Sequence, residues 1–335
     1  MKTFCFDPGE LRSMYQAQGW THVRGGISSE FLEHLQHYSA HQARNAVLRG
    51  TGIRGAKDQH LYEPPDEVDL IGDIRRLSVA MCGLQPDRFT LAERHLKHYA
   101  PDADPAPVAH KDRLASQVSI GISIDVPEGS HLVLYPAVHR EVNPFLTADF
   151  RESLGADALP EVVLQDAPAV EIYDQPGDVV LFPGSSTWHL RRNSANTVNL
   201  YLKCNDFGSD PLGEDPSTPR RRHVTDKMLD LPVAGILQRA TPVLSRQVEW
   251  VGTLRGRDGV DRPAVKIWDR PVAFVSEAQL ALVSNLSAVS GAPSGGAGRR
   301  AAAGASAEDV VALARLGAVD LLEAVDHSQP VSTPA

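Results

Sequence analysis

Apolar positions in the first 45 residues recur at helical spacing: Leu11, Met14 and Tyr15, then Phe31, Leu32 and Leu35. Gly19–Val23 reads as a short strand between two helices. Residues 49–66 lose this periodicity to Gly, Pro and charge. They predict a loop, either simply solvated or long enough for a flap that closes over an anionic substrate with Arg49, Arg54, Lys57 and His60. Leu70, Ile71, Ile74, Leu77 and Met81 restore a helical stripe over 66–83. From Phe89 the period shortens. Phe89–Tyr99, Gln117–Val126, Ser130–Tyr135, Val162–Tyr173, Asp178–Phe182, Trp188–Arg191 and Thr197–Cys204 are short runs of β-formers separated by Gly, Pro, Asp and Asn turns. Many short strands in one block predict a sandwich or barrel rather than a βαβ sheet. A mainly β fold with flanking helices, built on a double-stranded β-helix of the jelly-roll or cupin type, fits best.

That core is expected over 1–205. A Pro-, Gly- and Asp-rich stretch predicts a linker over 206–224, and a small α+β unit fills 225–335. In this unit, helices near 225–240, 276–286 and 307–325 accompany strands at 247–254 and 264–267. The low-complexity segment 289–306 is expected to be mobile. Helices beside a hairpin suggest a winged-helix-like arrangement. A DNA-reading winged helix needs a basic recognition helix. The segment from Ser306 to Asp326 is acidic and apolar instead, which suits packing or a homodimer contact.

Charge reinforces this exclusion of nucleic acid. The formal net charge is −9, the wrong sign for displacing counterions from a phosphate backbone, and Arg220–Arg222 reads as a solvated patch. Cys5, Cys82 and Cys204 show no metal or disulfide spacing, and Cys82 and Cys204 read as inert packing in a reduced, cytoplasmic protein. The N-terminal stretch lacks a signal-peptide pattern, and no apolar run approaches a membrane span.

The sharpest chemical candidate is His110-Lys111-Asp112. Two strand residues separated by one share a face, so an imidazole and a carboxylate can hold one metal. A second imidazole completes a 2-His-1-carboxylate triad with three open positions, which suits iron(II). His189, after the run Pro176–Pro183, is the natural third ligand. His139-Arg140-Glu141 offers the alternative H-x-E spacing. On bland readings, His110 and Asp112 are a surface pair and His189 a core histidine.

Context separates the two motifs. His98-Tyr99-Ala100 leads through Pro107 to His110 and Asp112. Pro136-Ala137-Val138-His139 resembles a P-G-S-H loop, and Gly177, Asp178 and Phe182 precede His189 as G-D-x-x-x-F. Over about residues 10–205 the chain thus resembles the iron(II)/2-oxoglutarate dioxygenase superfamily, in particular its phytanoyl-CoA-hydroxylase-like branch. The resemblance implies iron(II) on His110, Asp112 and His189, 2-oxoglutarate and dioxygen as co-substrates, and oxidation of a small molecule. It makes His139 a loop residue. Halogenating relatives replace the metal-binding carboxylate with a small residue, so Asp112 implies hydroxylation by default, with desaturation, cyclisation or epimerisation as variants.

One departure stands out. The branch places an arginine about ten residues after the second histidine, to pair with the distal carboxylate of 2-oxoglutarate. That position falls at Asn199. A carboxylate in a closed pocket needs a cation. Arg191 and Lys203 are the candidates unless they are solvated strand-end charges, with Tyr99 adding a hydrogen bond. The missing arginine also supports a rival reading, a non-oxidative cupin-like isomerase or small-ligand binding module. A cation-rich mouth of Arg113, Arg140, Arg191 and Arg192 fits an anionic substrate, or 2-oxoglutarate alone.

Overall fold

A computed structural model describes residues 1–44, 57–138, 140–145, 150–289 and 304–323. The chain divides into two compact units, Met1–Asp206 and Phe207–Ala335.

The first unit holds two antiparallel sheets. The larger runs β1 (Thr21–Val23), β7 (Val179–Phe182), β4 (Val118–Asp125), β9 (Val198–Asn205), β3 (Thr90–Tyr99), β2 (Lys57–Leu61). The smaller runs β6 (Val170–Ile172), β5 (His131–Tyr135), β8 (Trp188–Arg192). The period-two alternation of strand side chains gives the large sheet two unlike faces. Leu96, Ile120, Ile122, Leu181, Leu200 and Leu202 form its outer face. They pack with Phe31 and Leu35 of α2 (Ser29–Arg44) and Leu70, Ile74 and Leu77 of α3 (Leu70–Leu77). Each such side chain contributes about 1.5–3 kcal/mol on full burial. The intervening positions are polar and in register: Glu93 opposite Lys203, Lys97 opposite Asn199, Ser119 opposite Lys203 and Ser123 opposite Asn199. Toward the small sheet, Val180 and Phe182 join Leu132, Leu134 and Ile172 in a separate apolar cluster. This mainly β arrangement agrees with the jelly-roll expectation.

Three local expectations need correction. Residues 57–61 form β2, paired with β3 from Lys57–Tyr99 to Leu61–His95, so Lys57 and His60 sit in a strand. The sequence KDQHL contains no β-branched residue, and pairing at the sheet edge supplies the order that propensity lacks. Arg49 and Arg54 lie outside the described residues. The helix expected over 66–83 begins at Leu70, where the Asp69 side chain accepts from the Gly72 N–H at 3.1 Å, and ends in a π-helical turn, Ser78–Cys82. The strand expected at 162–173 shrinks to Val170–Ile172, because Pro160 starts the short helix α4 (Pro160–Val163).

The second unit contains α5 (Ser217–Leu229), α6 (Val233–Arg239), β10 (Ala240–Leu244), β11 (Val248–Arg255), β12 (Asp261–Ile267), β13 (Ala273–Phe274), α7 (Glu277–Val289), α8 (Ala307–Leu316) and β14 (Val319–Glu323). β11, β12 and β13 form one sheet, and β10 pairs with β14. The expected linker therefore ends early, with Ser217 opening α5. The helix expected over 307–325 stops at Gly317, whose φ of 89° is the left-handed C-terminal turn, and the chain continues as a strand. Val310, Val311, Leu313 and Ala314 of α8 pack in this unit's own core, in line with the packing reading of this segment. Of the segment expected to be mobile, 290–303 lies outside the described residues. Among the described residues, no helix is long and apolar enough to cross a membrane.

Candidate metal centre

β8 presents His189 and Arg191 on one face, and Trp188 and Leu190 in an apolar cluster on the other. His110 joins β8 through an isolated antiparallel bridge: each of His110 and His189 donates its N–H to the other's carbonyl at 2.9 Å. The H-x-D segment is not a continuous strand as expected. Beyond His110 the backbone is held by other groups. The Asp112 N–H donates to Gly184 O at 3.0 Å, and Asn143 Nδ2 donates to Asp112 O at 2.9 Å. Alternation survives nonetheless. Lys111 points away, its Nζ 5.0 Å from the Trp188 ring centre and 5.2 Å from that of Phe150, donating to Glu141 O at 2.6 Å.

His110, Asp112 and His189 each direct a ligand atom into one cluster, with all three atoms within 4.8 Å of one another. The His189 Nδ1–H donates to Thr187 O at 2.9 Å, which leaves Nε2 facing Asp112 Oδ2 at 3.8 Å. Phe182 packs edge-to-face on the His189 ring at 4.8 Å. Although His110 is exposed as a residue, desolvation of its ring among its neighbours, followed by His189, pushes its imidazole well below the usual range, and burial lowers that of His189. Burial alone would raise the Asp112 carboxyl, but Lys203, His189 and His110 outweigh it and hold the group well below its ordinary value. Two neutral imidazoles and one ionised carboxylate are the donor set that a divalent iron centre with open positions needs, so these residues fit the metal.

Asp112 is braced on both oxygens. Lys203 Nζ donates to Oδ1 at 2.6 Å and Ser119 Oγ to Oδ2 at 2.7 Å. Lys203 also lies 3.4 Å from Glu93 Oε2, while Arg113 Nε is 3.1 Å from Glu93 Oε1. Lys203 is thus placed on a metal-ligand candidate, where a co-substrate anchor was one expectation.

Arg191 lies deeper along the same face of β8. Its Nη2 is 2.6 Å from Asp174 Oδ2, and its Nη1 donates to Ser130 Oγ at 3.2 Å. With its amide oxygen turned toward the guanidinium, Asn199 accepts from Arg191 Nη2 and Tyr201 OH, each at 3.1 Å. Tyr99 hydrogen-bonds Tyr201 and feels the charge of Arg191. The four anchor candidates therefore divide: Arg191, Asn199 and Tyr99 converge, and Lys203 belongs to the Asp112 brace. Side chains from this wall leave a cavity of about 10 Å³, room for about one water, lined by Arg191, Asn199, Tyr201, Asp174 and Phe182 among others.

Other expectations resolve simply. Along β3, Glu93, His95, Lys97 and Tyr99 alternate onto the face that carries the site. Of the cations expected at a mouth, Arg113 and Arg191 are ion-paired and Arg140 and Arg192 are exposed. His139 lies outside the described residues. Burial pushes the Cys82 and Cys204 thiols up to about 12, consistent with packing roles. Sequence reasoning missed Ser119, Asn143, Asp174 and Gly184. Alternation on β4 could have found Ser119; the others carry no local signal.

No family model matches the chain, and no curated protein matches it. Among solved structures, it is similar to the epimerase SnoN in complex with Fe3+, alpha ketoglutarate and nogalamycin RO (18% identity, 60% of this chain and 84% of that chain, TM-score 0.45). It is also similar to the non-heme alpha ketoglutarate dependent carbocyclase SnoK from nogalamycin biosynthesis (16%, 59% and 83%, TM-score 0.44). A third is a Pseudomonas putida prolyl-4-hydroxylase (13%, 59% and 97%, TM-score 0.41).

Proposed function

We propose that this protein is a non-haem iron(II)- and 2-oxoglutarate-dependent oxygenase that acts on a small molecule, hydroxylation being the default outcome. The observation that carries the reading is the triad itself: His110, Asp112 and His189 each direct a ligand atom into one cluster within 4.8 Å. Iron(II) with 2-oxoglutarate and dioxygen would supply the oxidising chemistry. The chain's residues do the rest. His110 and His189 offer nitrogen ligands, Thr187 fixes the His189 tautomer, and Lys203 with Ser119 fixes the Asp112 carboxylate. Arg191, flanked by Asn199 and Tyr99, is the cation assigned to the distal carboxylate of 2-oxoglutarate. Asp174 holds it at present, so the co-substrate must share the guanidinium with Asp174 or displace it. Retention of Asp112 as a carboxylate supports hydroxylation over halogenation. The free thiols of Cys5, Cys82 and Cys204 support a reducing, cytoplasmic setting.

The test is an anaerobic titration of metal-free protein with iron(II) and then 2-oxoglutarate, following the visible metal-to-ligand charge-transfer absorption. The expected band should vanish in Asp112→Ala and His189→Ala, and Arg191→Met should raise the 2-oxoglutarate Kd by roughly 10–100-fold, the weight of a charged hydrogen-bonded contact. Tight iron binding without a band would overturn the 2-oxoglutarate assignment and leave a metal-binding jelly roll.

A further inference from the structure

The inner face of the large sheet carries two cations that its acids do not balance. Arg191 is matched by Asp174, and Lys203 and Arg113 are matched by Asp112 and Glu93. Lys57 and Lys97 remain. They sit on adjacent strands one register step apart: Lys57 pairs with Tyr99 and Gln59 with Lys97. Each ammonium rests on an aromatic face, Lys57 Nζ 5.4 Å from the Tyr99 ring centre and Lys97 Nζ 4.7 Å from that of Tyr201. Neither has a carboxylate within ion-pair distance among the described residues. Lys97 lies opposite Asn199 in register, and Asn199 lines the cavity beside Arg191, which places the pair along the wall of the same site.

From this geometry we infer that Lys57 and Lys97 form an anion-binding pair that takes a carboxylate or phosphate of the oxidised substrate, making that substrate an anionic small molecule. The inference rests on the oxygenase reading for what the pocket is. Iron(II) and the dianion of 2-oxoglutarate cancel, and the paired side chains cancel among themselves, so the two lysines are the basic groups left for the remaining ligand. The tyrosine rings help to hold the ammonium groups in place. Burial, followed by the charge of Lys203, weakens both ammonium groups, and an anion beside them would relieve that cost. A carboxylate of 2-oxoglutarate has the same chemistry and is the competing occupant. Arg191, buried and flanked by Asn199, is the better placed cation for it.

Calorimetric titrations separate the two sources. Inorganic phosphate is titrated into nickel(II)-loaded protein with and without saturating 2-oxoglutarate, and 2-oxoglutarate is titrated separately. The proteins are wild type, Lys57→Met/Lys97→Met and Lys57→Arg/Lys97→Arg, with thermal melts to verify folding. The methionine pair should weaken phosphate by roughly 10–100-fold while the 2-oxoglutarate Kd stays within about threefold, and the arginine pair should retain phosphate. Absence of phosphate binding to wild type, or equal binding to the methionine pair, overturns the inference. A loss that falls on 2-oxoglutarate instead assigns the lysines to the co-substrate and also overturns it. If wild type fails to bind 2-oxoglutarate, the oxygenase reading falls separately, and the phosphate titration without 2-oxoglutarate still decides the pair.

Discussion

Lys203 and Asp112 form a buried ion pair at 2.6 Å, and the same ammonium lies 3.4 Å from Glu93. One cation therefore holds a metal-ligand candidate and a second carboxylate together inside the sheet. The pairing follows from register: Glu93 and Ser119 flank Lys203 on the two neighbouring strands. The brace depends on the geometry of three strands, whereas the metal-ligand candidates come from the loop before β4 and from β8.

Replacing Lys203 by methionine leaves Asp112 and Glu93 buried with less compensation. Breaking a buried pair from one side costs about 3–5 kcal/mol, and the metal-free variant should lose stability on that scale. Nickel(II) should recover much of the loss, because a divalent cation on the triad supplies the missing charge. Urea unfolding with and without the metal measures both effects. A metal-free variant as stable as wild type would show that the brace carries no net energy.

Gly184 explains how the loop after β7 reaches the site. A Cβ there would lie 2.1 Å from Ser119 Oγ and 2.5 Å from Asp112 Oδ2, and the Gly184 carbonyl accepts from the Asp112 N–H. Only glycine allows the backbone to approach so closely. Gly184→Ala should displace the carboxylate and sharply reduce metal stoichiometry, with little change in far-UV circular dichroism. Plasma emission spectrometry of the reconstituted variant checks this, and full loading would refute the steric argument.

The sequence made the triad legible because its signals are local. H-x-D is read from alternation, and G-D-x-x-x-F turns out to be a structural device. Asp178 accepts from the backbone N–H groups of Gly25 and Gln175 and meets His22 Nε2 at 2.8 Å, while Phe182 packs on His189. What escaped depends on pairing between distant segments. β2 is a polar run that orders only against β3. Asp174, which neutralises Arg191, comes from the loop after β6, and β14 was hidden by the helical pattern of α8. The anchor question stayed open in the sequence because alternation shows which strand residues share a face, not which acid each cation meets.

Lys111 and Trp188 link the two ligand segments from behind. Lys111 lies between His110 and Asp112, Trp188 precedes His189, and the ammonium sits 5.0 Å from the indole centre. A partly desolvated cation–π contact contributes about 1–2 kcal/mol. Lys111→Met should lower stability by about that amount and weaken nickel(II) binding, while Lys111→Arg, which keeps the cation over the rings, should restore both. Chemical denaturation paired with metal titration tests this. If arginine and methionine behave alike, packing of the stem is the operative contact instead.

The C-terminal unit should respond to pH through two buried acids. Burial pushes the carboxyls of Asp210 and Asp320 up to about 6; the latter stays high despite Arg221, Arg222 and Arg246 nearby. In the unfolded chain both ionise near pH 4. Between those values the folded state binds more protons than the unfolded state, so acidification stabilises it, and the gain is lost as pH rises through 6. From pH 7.5 to pH 5 each group should add about 1 kcal/mol. Thermal unfolding of the full chain against an Asp210→Asn/Asp320→Asn variant isolates this from groups that titrate elsewhere. The stability gap between variant and wild type should shift by about 2 kcal/mol across that range, with wild type gaining at low pH. A gap that stays constant would mean that both carboxyls remain ionised in the folded protein, Asp320 held by the three arginines and Asp210 by its hydrogen bonds from Thr218 and the Glu214 and Asp215 N–H groups.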